Sequence, residues 1–268
     1  MDLFISSSDK LQHSLFNILV TLKELHWTPE YTVFTLLNYS QRRKYTGTFN
    51  MSFEILPQTS DDVAESFAAA RKAFARFNSM LFNPFPLSAE SMDILAKNRT
   101  ESFGKNPQAK SFKAVDRETG AIIGAARWSI HPDDEMIDKT VQEEASPGVE
   151  AFRVPELRED VARAFYTGLL EGKRELMGIK EVDGRVVKLK RRVDLESLFT
   201  HPDHQGKGVG KALLQRCIQE SEELGLVTWL EATEEGQPLY EKCGFEAIRT
   251  NIFDAKEVGG EGTHQYTV

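Results

Sequence analysis

The chain has 268 residues, with 33 Lys and Arg against 41 Asp and Glu and a formal net charge of −8. Hydrophobic residues at 40% and charged residues at 28% are proportions that build a core, so wholesale disorder is excluded. No run approaches the roughly 18 apolar residues that cross a membrane, two cysteines are too few for a disulfide framework or a Cys-rich zinc site, and an acidic balance gives nucleic acid no basic footprint. The acidic start Met1-Asp2, with no small-residue cleavage site after Leu15–Leu25, argues against a signal peptide. Asp2, Asp9 and Glu24 argue against a mitochondrial presequence. The expectation is a cytoplasmic protein, with the nucleus left open.

Asp9–His26 reads as a helix, with Leu11, Leu15, Leu22 and Leu25 on one face. Tyr31–Tyr39 alternates loosely, and Arg42-Arg43-Lys44 adds charge. Near Met51 the text changes: Phe53–Leu56 has the form of a short strand closed by Pro57. Thr59 or Ser60 then caps a helix with Val63, Phe67, Ala70, Phe74 and Phe77 at spacings of three and four. The domain is therefore expected to run from residue 51 to 268, with residues 1–50 a loosely attached extension, an artefact of the chosen start site, or a packed helix. Ser88–Asn98 reads as a short helix and Arg99–Lys110 as loop. Phe112–Val115 and Ala121–Trp128, joined by the turn Asp116–Gly120, read as a hairpin.

Residues 131–192 form an insertion. Its first part, 131–150, is acidic and punctuated by Pro and Gly, and reads as loop. Pro155 opens a helix with Leu157, Val161, Phe165 and Leu169 inward, weakened by Gly168 and Gly172. Asp183-Gly184 is a turn, and the basic run Arg185–Arg192 a solvated strand or loop. Val193–Thr200 is a strand, Gly206–Leu224 a helix, Val227–Ala232 a strand, Pro238–Cys243 a short helix and Phe245–Arg249 a strand. A Gly/acidic loop over 254–262 and a last strand, Gln265–Val268, complete the chain.

The segment with chemistry in it is Leu198-Phe199-Thr200-His201-Pro202-Asp203-His204-Gln205-Gly206-Lys207-Gly208-Val209-Gly210-Lys211-Ala212. A strand ends, Pro202 stops it, a glycine-rich turn follows and a helix begins. Glycines let successive N–H groups converge on one spot, and a helix N-terminus adds positive potential, so the arrangement suits a phosphate. It is not a Walker A loop, because Gln205 stands where the first Gly belongs and Ala212 replaces the hydroxyl that holds magnesium. Nor is it a dinucleotide fingerprint, since the third Gly arrives one residue early, at Gly210.

The spacing Q-x-x-G-x-G from Gln205 to Gly210 resembles the pyrophosphate loop of the GNAT superfamily of acyl-CoA N-acyltransferases. Trp229–Thr233, followed by Gly236-Gln237-Pro238-Leu239-Tyr240-Glu241-Lys242-Cys243-Gly244-Phe245, resembles that family's second signature. Thr119–Trp128 is similar to its T-G-x-I-x-G hairpin, common in fungal-type members, and the likeness extends over roughly residues 51–250. The resemblance implies an α+β fold with a central mixed, mostly antiparallel sheet, flanked by helices, in which a parallel strand pair splays apart. Acyl-CoA enters the gap. Backbone groups of Leu198 and Thr200 would hold pantetheine, an N–H at Leu198 or Phe199 would polarise the thioester, and Gln205, Gly206, Lys207, Gly208, Val209, Gly210 and Lys211 would hold the pyrophosphate.

On that resemblance acetyl-CoA is the co-substrate, no metal is needed, and the acceptor is a small-molecule or peptide amine. A primary amine near pKa ~10 arrives protonated and needs a proton acceptor. Glu196 is the first candidate and Glu231 the second, either acting through water; the competing reading pairs Glu196 with Arg191 or Arg192. Tyr240 fits the acid that protonates departing CoA thiolate, or packs beside the cofactor without proton transfer. The acceptor pocket would draw on the first helices and the insertion, with Phe165, Tyr166 and Met177 as candidates. His201 to His204 lacks further metal partners, Cys217 and Cys243 read as packing residues, and no G-x-S-x-G elbow occurs. The alternatives are a non-catalytic acyl-CoA sensor and an O-acyltransferase. No nucleic acid or membrane partner is expected, and the assembly would be a monomer or homodimer.

Overall fold

The computed structural model describes residues 52–181 and 184–268. The helix expected at Asp9–His26 and the seam near Met51 lie outside the described residues. Strand β1 (Phe53–Pro57) opens the domain. A capping box follows, in which the Thr59 N–H donates to Asp62 Oδ2 at 2.7 Å, and leads through one 3-10 turn into α1 (Val63–Ala73). The single helix expected up to Phe77 breaks at Phe74, whose φ of −100° and ψ of 27° start a second segment, α2 (Ala75–Leu81). Helix α3 (Ala89–Ser102), capped by Ser88, extends beyond the expected end at Asn98. The hairpin β2 (Ala109–Asp116) and β3 (Ile122–His131) turns at Asp116–Gly120, as read.

The expected loop at 131–150 is not all loop: it contains β4 (Glu135–Met136) and α4 (Val141–Glu150). A capping box between Thr140 and Glu143 starts α4, and Ala145 and Val149 bury one side of it. Pro147 and Gly148 hid that helix from composition. Helix α5 (Glu159–Met177) starts four residues after Pro155, so Leu157 precedes it and bridges to Phe82 instead. Strands β5 (Gly178–Lys180) and β6 (Val186–Leu189) follow, then β7 (Arg192–Thr200) and α6 (Val209–Leu224). The strand expected over 227–232 is broken into β8 (Thr228–Trp229) and β9 (Ala232–Thr233). Helix α7 (Gln237–Lys242) comes next. Phe245–Arg249 forms no strand; β10 (Thr250–Asp254) begins just after it, pairs with β11 (Thr263–Thr267), and takes part of the expected loop.

The main sheet runs β1-β2-β3-β7-β8, antiparallel except for the last pair. There β7 and β8 run parallel and pair only at Val193 with Thr228 and Asp194 with Trp229. Beyond that point the strands part, because β9 joins β10 and β11 in a separate sheet of order β10-β11-β9. A third small sheet, β4-β6-β5, belongs to the insertion. The mixed, mostly antiparallel sheet with a splayed parallel pair matches the fold the resemblance implied.

Strand alternation places a helix on each face of β3. A Cβ on Gly124 would lie 2.9 Å from Val209 Cγ1 of α6 and 2.8 Å from the Phe199 carbonyl, so only glycine allows this approach. The next residue, Ala125, packs in one cluster with Ala69 of α1 and Phe199 of β7. Trp128, Val193, Leu213, Leu214 and Cys217 are fully or almost fully buried between these layers. Burying such side chains contributes about 1.5–3 kcal/mol each before conformational entropy is charged against it.

Candidate active site

The parting of β7 from β9 leaves one edge of β7 without a strand partner from Leu195 to Thr200. A cavity of about 450 Å³ opens along it. Leu198, Phe199 and Thr200 form one wall, and Gln205, Gly206, Gly208, Val209, Gly210 and Lys211 form its floor. Tyr240 and Leu239 of α7 close the far side, and Phe74, Arg76 and Phe77 come in from the broken helix. The bend at Phe74 matters here: it sets the Phe74 ring 6.4 Å from Phe199 and turns Phe77 toward α5 and β11.

The glycine turn is built as its spacing requires. Gly206 and Gly208 have φ of 74° and 86°, left-handed conformations that glycine adopts without steric cost. Gly208 is also the N-cap of α6. The N–H groups of Gly206, Lys207, Gly208, Val209 and Gly210 have no hydrogen-bond partner among the described residues. Consecutive unpaired amides at a helix N-terminus cost stability unless an anion or water satisfies them, so the donor set fits a pyrophosphate. Lys211 lines the cavity, whereas Lys207 does not: its Nζ donates to the Asp203 carbonyl at 3.0 Å and braces the turn. His201 Nδ1 accepts the Asp203 N–H at 3.3 Å, a role within the turn rather than toward a metal.

Tyr240 is 8% exposed and borders the cavity. Burial raises its phenol well above the ordinary value, reinforced by the cysteines nearby and the charge of Glu231. The hydroxyl thus keeps its proton at neutral pH, and it has no hydrogen-bond partner among the described residues. A Cβ at Gly236 would sit 3.3 Å from the ring, so the preceding glycine makes room for it.

Glu196 is elsewhere. A register shift pairs Ser197 with Arg127 and Leu195 with Trp128, leaving Glu196 as the extra residue of a bulge. Its carboxylate accepts from Arg127 Nε at 2.6 Å and from the Ser129 hydroxyl, and it does not line the cavity. The arginine partner is therefore Arg127, not the expected Arg191 or Arg192. Arg192 instead binds Asp194 and Glu135, at 2.9 and 2.6 Å. Glu231 sits at the break between β8 and β9, its Oε1 accepting from Trp229 Nε1 at 2.7 Å. Burial raises its carboxyl, opposed by Lys173. It too stays off the cavity wall.

Among the acceptor candidates, Phe165 packs against Phe77 at 5.1 Å, behind the wall. Tyr166 stacks on Phe152 at 6.2 Å, and Met177 is buried. None of the three lines the cavity. Burial pushes the Cys217 thiol up to about 12, which keeps it unreactive, as expected of a core cysteine. Ala73, Arg76, Glu235 and His264 line the cavity and were not singled out in the sequence. Glu235 follows β9, and His264 arrives on the last strand with no motif around it. Phe74 and Phe77 were visible, but as core positions.

Residues 174–247 match the family model of the acetyltransferase (GNAT) domain. The L-amino acid N-acyltransferase MnaT of Escherichia coli (strain K12) is 40% identical over 53 residues, 18% of this chain and 31% of that protein. The alignment thus spans about a third of the curated relative's length. Among solved structures, the polyamine N-acetyltransferase of Drosophila melanogaster, which forms N-acetylagmatine, superposes with a TM-score of 0.52 at 13% identity. That match covers 80% of this chain and 98% of the other. The mosquito protein named arylalkylamine N-acetyltransferase like 5b superposes with a TM-score of 0.51 at 13% identity, over 81% of this chain and 98% of the other. These two establish the fold. Residues 174–247 thus resemble a GNAT acetyltransferase domain, and the chain around them has the fold of these N-acetyltransferases.

Proposed function

We propose that the domain transfers the acetyl group of acetyl-CoA to a primary amine by direct attack. The observation that carries this is the meeting, in one cavity, of an unpaired strand edge, a run of unpaired amides and a buried, protonated tyrosine. Pantetheine would pair with the open edge at Leu198 and Thr200 as an added strand, and the pyrophosphate would lie on the amides from Gly206 to Gly210, since the Gln205 N–H donates to the Pro202 carbonyl. An N–H at Leu198 or Phe199 would polarise the thioester carbonyl.

The amine attacks the carbonyl carbon, and the C–S bond breaks as the tetrahedral intermediate collapses. Tyr240 gives its proton to the leaving thiolate and recovers one from the nitrogen. Thiolate is a fair leaving group, so the acid contributes less than it would for an alkoxide. Glu196 and Glu231 reach the amine only through water, since neither borders the cavity.

The relatives are named for L-amino acids, a polyamine and arylalkylamines. All are amines, and Glu235 at the cavity gives a cationic acceptor a favourable wall. Among the described residues no helix is long and apolar enough to cross a membrane, and the cytoplasm is the proposed site of action. The test is product identification by mass spectrometry. Acetyl-CoA is incubated with pooled polyamines, arylalkylamines, amino acids and Lys peptides; enzyme-dependent appearance of an acetylated amine is expected. Saturable acetyl-CoA binding without product from any pool would favour an acyl-CoA sensor; an acetylated hydroxyl would make it an O-acyltransferase.

A further inference from the structure

His264 is the titratable side chain that neither the glycine loop nor the tyrosine accounts for. It is 6% exposed, yet it lines the cavity shared by β7 and Tyr240. Strand β11 brings it there through its pairing with β9, Thr267 opposite Ala232 and Tyr266 opposite Thr233. The ring is wedged between Phe77 of α2 at 5.0 Å and Phe165 of α5 at 5.6 Å. Neither ring nitrogen has a hydrogen-bond partner among the described residues. With no protein partner, a ring nitrogen on the cavity wall is left to bond water or a group that enters the cavity.

We propose that His264 accepts the proton of the acceptor amine. The proposal rests on the acetyltransferase reading and assigns the step for which Glu196 and Glu231 are poorly placed. An ammonium entering the cavity gives one proton to a ring nitrogen of His264, directly or through one water, and becomes a neutral nucleophile. After the N–C bond forms and the C–S bond breaks, the nitrogen loses its second proton. That proton replaces the one Tyr240 gave to the thiolate, and the imidazolium releases the first to solvent. The products are acetylated amine, CoA thiol and one proton, which balances.

The surroundings suit this role. The walls from α5 and β10 are Phe165 and Phe253, which carry no charge, and Phe253 is the cross-strand partner of His264. The charged groups facing the ring are Arg76 of α2 and Glu234 and Glu235 after β9. Arg76 bonds both carboxylates, at 3.0 and 2.9 Å, and offsets part of their charge at the ring. Burial then dominates and lowers the imidazole below its ordinary value, leaving it neutral and able to take a proton at physiological pH.

The experiment uses the full chain, acetyl-CoA, and agmatine and phenethylamine as probe amines, extended to the remaining pools if neither reacts. Acetyl-CoA affinity, kcat and kcat/KM are measured for wild type, His264→Gln and His264→Asn. For wild type, kcat/KM is expected to fall about tenfold per pH unit below a midpoint under ~6.5. His264→Gln should lose about 10²-fold or more in kcat/KM. It should keep acetyl-CoA affinity within about twofold and abolish the acid limb. A variant that turns over at the wild-type rate, or one that loses acetyl-CoA binding in step with kcat, would overturn the assignment. If both variants fail to fold, the wild-type profile decides alone: a kcat/KM flat from pH ~5 to ~8 would exclude an imidazole base. Wild type that turns over no amine at all sinks the acetyltransferase reading instead, and binding data separate the two failures.

Discussion

Gly208 links backbone conformation to the proposed ligand binding at a single residue. Its φ of 86° is left-handed, and it presents the first of the unpaired amides of α6. Alanine there would place a Cβ against its own backbone at a cost of about 1–2 kcal/mol, with no neighbouring atom to clash with. Gly208→Ala should therefore lower the melting temperature and weaken acetyl-CoA about tenfold through relaxation of the turn. Calorimetric titration checks this; an unchanged affinity would separate the turn from the ligand. The glycine turn and the helix after it were legible in the sequence because glycine spacing is a local signal. His264 was not, since its placement depends on β11 lying beside β9, some 30 residues away in the chain, a pairing no local pattern encodes. Glu196 misled for a related reason: one bulged residue re-aims a side chain, and alternation alone cannot show where the bulge falls.

Elements with strong periodicity and caps were readable, and those whose limits are set by partners were not. Helix α6 and the β2–β3 hairpin announce themselves, whereas α4 hides behind Pro147 and Gly148 and α1 parts from α2 at Phe74, where tertiary packing overrides propensity. A carboxylate fixes the start of α3 from a distance. Glu156 accepts the Ser91 hydroxyl at 2.6 Å and the Ser88 N–H at 3.1 Å, and the Ser91 bond most of all holds its carboxyl at about 2. A lowered folded-state value means that its stabilisation is complete above the ordinary 4.5 and lost as the pH falls toward 2. Melting curves should show wild type above Glu156→Gln at neutral pH, the gap closing across that window. A gap independent of pH would contradict the linkage.

For the whole molecule, a buried charge cluster lies at the point where β7 and β8 part. Asp194 lies at the last pair of the parallel ladder and receives Lys173 Nζ at 2.7 Å and Arg192 Nε at 2.9 Å. Burial opposes its ionisation, but Lys173, His131 and Arg192 outweigh burial and hold the carboxyl far below its usual range. This ties α5, β3 and β7 together at the apex of the gap that acetyl-CoA is proposed to enter. Asp194→Asn would leave Lys173 without its carboxylate and Arg192 with Glu135 alone, and should cost roughly 3–5 kcal/mol in urea unfolding. A loss under about 1 kcal/mol would show the cluster to be dispensable. The mixed sheet and its splayed parallel pair were implied by the family resemblance, while this cluster, drawn from three distant elements, was not readable.

The central claim is that the cavity turns acetyl-CoA and an amine into free CoA with Tyr240 as the acid. The direct measurement is release of free thiol from acetyl-CoA, with and without pooled amines, for wild type and Tyr240→Phe side by side. Amine-dependent release that falls about 10- to 100-fold in the variant, with acetyl-CoA affinity retained, is the expected result. Release that needs no amine, or is the same in both proteins, would contradict the account.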